Sequence, residues 1–195
     1  MTDPGTSKLL QKKQRLLLHC CCAPCASHVL ELLVPVYECT VIFYNPNIEP
    51  FEEYEKRKKE LNKLMARNSL LSGVSVIDVD YSNDVFTKAV NALRDESEGG
   101  VRCRVCFELR LRETAIYAAE GKFDIFTTTL SVSPHKNSAL LNEIGSRLAE
   151  EYGIGYLVSD FKKQDGYKHS VELSEKYNLY RQDYCGCIQQ SNDKI

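Results

Sequence analysis

Short apolar runs alternate with amphipathic stretches along this chain. Leu16 to His19 is apolar throughout and reads as a strand, and it is followed by Cys20-Cys21-Cys22-Ala23-Pro24-Cys25. Ala26, Val29, Leu30 and Leu33 then recur at helical spacing until Pro35 stops the helix. Val36 to Phe43 predicts a second strand. Phe51, Tyr54, Leu61, Leu64 and Met65 mark an amphipathic helix whose polar side carries Lys56, Arg57, Lys58 and Lys59. Val74 to Val79 alternates like a strand, with a helix expected from Asn83 to about Leu93 and a polar loop from Arg94 to Gly100. A helix from Cys103 to about Ala119 precedes a Thr- and Phe-rich strand over Asp124 to Leu130. Ser133-Pro134 predicts a cap and first turn for the helix lined by Leu141, Ile144 and Leu148. Ile154 to Val158 is the last strand, a helix follows around Tyr167 to Tyr177, and the tail holds Cys185-Gly186-Cys187.

Strands that alternate with helices need parallel crossovers, so the pattern predicts an α/β fold with a doubly wound parallel sheet of about five strands and a cysteine-bearing C-terminal tail. The 195 residues fit one domain, 1–195, with 1–14 read as a flexible arm. Hydrophobic residues make up 43% and charged residues 27%, which excludes disorder and a coiled coil. The longest apolar run falls far short of the ~18 residues of a membrane span. Met1 to Arg15 carries four basic residues and no apolar h-region, which predicts a cytoplasmic chain that uses no membrane.

Cysteine changes the picture. Nine occur in a chain read as cytoplasmic, where thiols serve as metal ligands or catalytic groups more than as disulfides. In an open α/β sheet, ligands bind beyond the carboxyl ends of the strands. Cys20 to Cys25 stands at such an end and opens a helix, whose free N–H groups and dipole favour thiolate. Two further groups, Cys103-Arg104-Val105-Cys106 and Cys185-Gly186-Cys187, have spacing that suits two ligands on one metal or cluster. Eight cysteines exceed the four that one structural zinc needs. Iron–sulfur, zinc and dithiol chemistry all remain open on spacing alone. Cys39, inside the second strand, is read as a buried bystander, and His28 as a helix-surface residue. No G-x-G-x-x-G or Walker motif signals a nucleotide, and no Ser-His-Asp order can be picked out.

A net charge of -2 gives no global attraction to nucleic acid, but basic residues gather near the cysteines. Arg102, Arg104, Arg110 and Arg112 flank the second pair, Lys162, Lys163 and Lys168 follow the last strand, and Tyr180, Arg181 and Tyr184 precede the third. Arginine beside aromatics can hold phosphates and stack bases.

Taken together, these motifs resemble the cobalamin-independent epoxyqueuosine reductases, the QueH family. The matching residues are Leu18-His19 with Cys21-Cys22-Ala23-Pro24-Cys25, Phe43-Tyr44-Asn45-Pro46-Asn47-Ile48, and Glu53-Tyr54 with Lys56-Arg57. The match continues through Arg102-Cys103 with Cys106, Leu109-Arg110-Leu111, Phe123-Asp124, Phe126-Thr127-Thr128-Thr129-Leu130, and Ser133-Pro134 with Asn137. It ends in Asp160-Phe161 and Leu179-Tyr180-Arg181-Gln182 with Tyr184-Cys185-Gly186-Cys187-Ile188. Cys20 departs from the family's usual apolar residue, and His135-Lys136 stands where Tyr-Gln is common.

The resemblance implies an adenine nucleotide alpha-hydrolase-like, Rossmann-like fold. It also implies reduction of epoxyqueuosine to queuosine at the wobble position of a tRNA with a GUN anticodon, the last step of queuosine synthesis. The implied cofactor is a [4Fe-4S] cluster with an adjacent iron and no cobalamin, fed by an electron donor the sequence does not identify. Carried over by position, Cys21, Cys22, Cys103, Cys106, Cys185 and Cys187 are the expected ligands, with Cys25 a ligand or nearby thiol. Loss of the epoxide oxygen as water needs a proton donor, for which Asp160 and Tyr184 are candidates. Arg102, Arg104, Lys163 and Arg181 are the expected phosphate contacts.

Overall fold

A computed structural model describes residues 12–187. Most of the arm expected over 1–14, and Ile188 of the C-terminal motif, lie outside the described residues. The strands are β1 (Arg15–His19), β2 (Glu38–Ile42), β3 (Ser75–Ile77), β4 (Ile125–Thr128) and β5 (Gly155–Tyr156). They form one all-parallel sheet in the order β3-β2-β1-β4-β5. The helices are α1 (Ala23–Leu33), α2 (Phe51–Arg67), α3 (Asn83–Ala89), α4 (Val101–Glu120), α5 (Ser138–Tyr152) and α6 (Gly166–Lys176). The five strands and the doubly wound order agree with the sequence pattern.

The centre of the sheet follows from Leu16-Leu17-Leu18. Successive strand side chains point to opposite faces, and a strand covered on both sides is apolar throughout. Leu16 and Leu18 join the core made with α1 and α2, whereas Leu17 joins the core made with α4 and α5. All three are fully buried, each contributing about 1.5–3 kcal/mol. The alternation continues past the strand, placing Cys20 in the first core and Cys21 against the second. Chain order reverses between β1 and β4, which puts the crevice of the fold at their carboxyl ends, beside Cys20 to Cys25.

Two sequence expectations are corrected here. Ser133-Pro134 does not start α5; the helix begins at Ser138, because the Asn137 side chain accepts the Leu140 N–H at 3.1 Å and caps it. Ser133 instead closes a turn that accepts the Lys136 N–H. His28 is not on the surface. The helix α6 packs over it, and His28 Nδ1 meets His169 Nδ1 at 3.0 Å. Gly166 permits that approach, since a Cβ there would stand 1.9 Å from Phe161 O and 2.6 Å from His28 Nε2.

Candidate metal centre

The first group of thiols is arranged by a helix start. Cys22 is the extended N-cap of α1 and Pro24 lies in its first turn, so Cys25 returns on the same side as Cys22. The sulfurs of Cys21, Cys22 and Cys25 all lie within 4.8 Å of one another, with Cys21 and Cys22 at 3.7 Å. Cys25 therefore belongs with Cys21 and Cys22 geometrically. Cys20 points away, buried, its thiol donating to Cys22 O. Just after β4, Thr129 fixes Cys21 twice: its hydroxyl oxygen accepts the Cys21 N–H at 3.1 Å, and it lies 3.3 Å from the Cys21 sulfur.

The electrostatics single out one thiolate. Hydrogen bonds from the Cys22 and Cys25 thiols hold Cys21 well below the usual thiol range, helped against burial by the charges of Lys136 and Arg110. Donation to Cys21 pushes Cys22 up to about 11 and Cys25 well up. The triad is thus a thiolate held by two thiols.

The tail brings the third group to the same place. Arg57, 3% exposed, ion-pairs with Glu53 at 2.7 Å and donates to the carbonyls of Tyr184 and Cys185, both at 3.1 Å. This corrects the expectation of Arg57 on a solvated helix side: the tail lies over α2 and covers it. The Tyr184 hydroxyl donates to Glu49 O at 2.5 Å. Gly186 has φ of +121°, and a Cβ there would meet Ile48 Cγ1 at 2.9 Å, so the residue between the two cysteines must be glycine. Cys185 then lines a cavity of about 220 Å³ together with Cys21, Cys25, Arg110 and Lys136.

The second group stands at the start of α4. Cys103 and Cys106 share a helix face with Arg110 at i, i+3 and i+7. Cys103 and Cys185 both line a small adjoining cavity of about 50 Å³ with Lys136. Cys106 packs with Cys187 against Phe86 and Val90. Burial pushes Cys106 up to about 12 and also raises Cys103, although the Gly99 N–H points at the Cys103 sulfur at 3.2 Å. Cys21 and Cys25, Cys103, and Cys185, from three distant stretches, therefore line two adjoining cavities at the crevice of the sheet, whereas Cys106 and Cys187 line neither, Cys187 lying on a third, smaller one with Phe86 and Val90. Cys39 is elsewhere, buried in the first core as read, with its thiol pushed up to about 11 by burial.

Other expected site residues are less gathered. Tyr184 and Arg181 line the cysteine cavity. Arg181 donates to Ser170 O and Ser174 Oγ at 3.2 and 3.1 Å. Asp160 and Lys163 line a different cavity, of about 600 Å³, with His28 and His169, and Asp160 pairs with Lys162. Arg104 is exposed and ion-paired with Glu143 at 2.7 Å. Arg102, expected to reach phosphate, is buried and donates inward to Arg94 O at 2.8 Å. Sequence reasoning missed Lys136 and Arg110 as the cations facing the sulfurs. Only the i+4 spacing of Arg110 from Cys106 offered a signal. His19, fully buried, donates from Nε2 to Tyr44 O and accepts the Thr128 hydroxyl at Nδ1, fixing the neutral tautomer. Burial, with the Arg110 charge, lowers it to about 3.

The donor set fits a thiolate-ligated metal group. Its thiols converge, and the cations at hand are placed to balance negative sulfur. Among the described residues no helix is long and apolar enough to cross a membrane. Residues 16–193 match the family described as Epoxyqueuosine reductase QueH. The chain is 43% identical over 175 residues to the Epoxyqueuosine reductase QueH of Streptococcus pyogenes serotype M1, covering 89% of this chain and 69% of that protein. It is 41% identical to the protein of the same description from Staphylococcus aureus, with 90% and 75% covered. Against that from Thermotoga maritima the identity is 37%, with 89% and 88% covered.

Proposed function

The chain belongs to the epoxyqueuosine reductase QueH family, and from that premise we propose that it reduces epoxyqueuosine to queuosine in tRNA, the last step of queuosine synthesis. It is an oxidoreductase. The observation that carries the reading is the convergence of Cys21, Cys25, Cys103 and Cys185 on adjoining cavities at the carboxyl end of β1.

The reaction breaks two C–O bonds of an epoxide, takes up two electrons and two protons, and releases water, leaving a cyclopentene. Cys21, Cys22, Cys103, Cys106, Cys185 and Cys187 would hold a [4Fe-4S] cluster and an adjacent iron, and Cys25 groups with Cys21 and Cys22. When bound, that group supplies electrons singly and a Lewis-acidic iron, replenished by a separate electron donor. The protein residues do the rest. The cavity beside Cys21 and Cys25 receives the modified nucleoside, splayed from the anticodon loop. Lys136, on the cavity wall, faces the sulfurs and presents a proton at Nζ to the departing oxygen. Tyr184 also lines the cavity, with its hydroxyl proton held by Glu49 O, so it orients rather than donates. Asp160, lining a different cavity, is not part of this proton path. Arg181 at the cavity, with exposed Arg104 and Lys163, meets the phosphates of the loop.

The test is anaerobic turnover of epoxyqueuosine-containing tRNA by iron–sulfur-reconstituted protein, with the nucleoside identified by mass spectrometry. Queuosine formed in proportion to loaded cluster is expected. Colourless protein holding stoichiometric zinc, with unchanged epoxyqueuosine, would refute it.

A further inference from the structure

Arg110 lies on α4 one turn beyond Cys106 and is 2% exposed. A guanidinium taken out of water costs several kcal/mol unless anions and hydrogen-bond acceptors meet it. No carboxylate among the described residues ion-pairs with it. Its Nη2 donates to the neutral Asn45 Oδ1 at 2.6 Å, its Nη1 lies 3.9 Å from the Cys106 sulfur, and its buried Nε has no hydrogen-bond partner. Asn45 is itself held, donating from Nδ2 to Cys20 O at 2.9 Å, so it aims the guanidinium from the loop after β2. What faces this charge is sulfur: Cys106 stands against the guanidinium, and Cys21 and Cys185 line the same cavity as it does. Each of those cysteines comes from a different stretch of the chain. Lys136 adds a second positive charge from the wall of the same cavity.

An electron added to a thiolate-ligated centre adds negative charge. A fixed buried cation next to the ligating sulfurs stabilises that reduced form, and hydrogen bonds to the sulfurs act in the same direction. We propose that Arg110 is a positioning residue that holds up the reduction potential of the centre, acting through Cys106 and Cys21 and aimed by Asn45. This rests on the reading above that these cysteines hold an iron–sulfur group.

The experiment compares midpoint potentials of anaerobically reconstituted full-length wild type, Arg110→Lys, Arg110→Gln and Asn45→Asp by spectroelectrochemical titration. Arg110→Gln is expected to weaken the reduction equilibrium at least tenfold, about 59 mV downward for one electron. Arg110→Lys keeps the charge and stays close to wild type. Asn45→Asp sets a carboxylate on the guanidinium, nearly isosterically, and shifts the potential downward with Arg110 still present; it decides the matter if Arg110→Gln does not load. Unchanged midpoints in the neutralised variants overturn the role of Arg110 alone. Loss of the cluster from Arg110→Lys also overturns it, since shape and not charge would then be what the site needs. Wild-type protein that takes up no iron–sulfur chromophore overturns the underlying reading instead.

Discussion

Replacing Arg57 by methionine keeps the aliphatic bulk inside α2 and removes three charge-assisted hydrogen bonds at once. Two of these hold the Tyr184 and Cys185 carbonyls and the third pairs with Glu53. Hydrogen bonds to a charged group contribute about 1.5–3 kcal/mol each, and removing one member of a buried pair costs about 3–5 kcal/mol because the other charge is stranded. Glu53 keeps partial relief from the Tyr180 hydroxyl at 3.3 Å, so the low end of that range applies. A cost of about 3 kcal/mol favours the undocked tail on the order of a hundredfold. The sheet is untouched, so the loss is local. Cys185 and Cys187 should leave the site while the global fold survives. The assay is iron per chain after anaerobic reconstitution, beside a thermal melt and protease sensitivity of the tail. The expected outcome is iron reduced at least severalfold, a tail cut near Tyr184, and a modest change in the melt. Full iron and an intact tail in Arg57→Met would mean that Arg57 does not hold the third cysteine group in place, and the account of how the tail docks would fail.

Further expectations concern pH and salt. Metal must displace protons from Cys22, pushed to about 11, and Cys106, pushed to about 12, so zinc affinity of the metal-free protein should climb with pH between roughly 6 and 8; a flat profile in competition titrations would contradict it. His19 is held at about 3, below its ordinary 6.5, so the unfolded chain binds a proton the folded chain refuses. Its stability contribution is complete above 6.5 and falls by about 1.4 kcal/mol per unit as pH drops toward 3. Urea midpoints of metal-free His19→Gln should therefore be less acid-sensitive than wild type, and parallel profiles would refute this. With Arg104 and Arg181 on phosphates, log affinity for anticodon stem-loop RNA should fall with log salt, and Arg104→Ala should flatten the slope by about 0.7; an unchanged slope removes Arg104 from the interface.

Much of this architecture was legible because β1 announces itself. Three consecutive leucines suit a strand covered on both faces, and the cysteines after them fall where such sheets bind ligands. What could not be read was which polar side chains are buried. Arg57 looks solvated beside Lys56, Lys58 and Lys59 because the segment that covers it lies 127 and 128 residues later, as its bonds to Tyr184 and Cys185 show. His28 is hidden by α6 in the same way. Asn137 outcompeted Ser133-Pro134 as a cap because its side chain reaches the Leu140 N–H, a contest no local propensity settles. Asp160 lies four residues past the last strand rather than at its end, and β5 is at the sheet edge, so its loop opens on another cavity. The sequence pattern offers Arg110 to RNA and gives Lys136 no role, whereas the fold turns both toward sulfur.

One strand both anchors the two hydrophobic layers and points the first sulfurs. Loosening either layer blurs the aim of Cys21 well before the domain melts, so colour should fade ahead of shape. On the proposed reading, a library screened by eye for bleached yet well-folded protein would return Leu16, Leu17 and Leu18 alongside the cysteines themselves, making this leucine triplet as much a part of the thiols' mounting as of the fold.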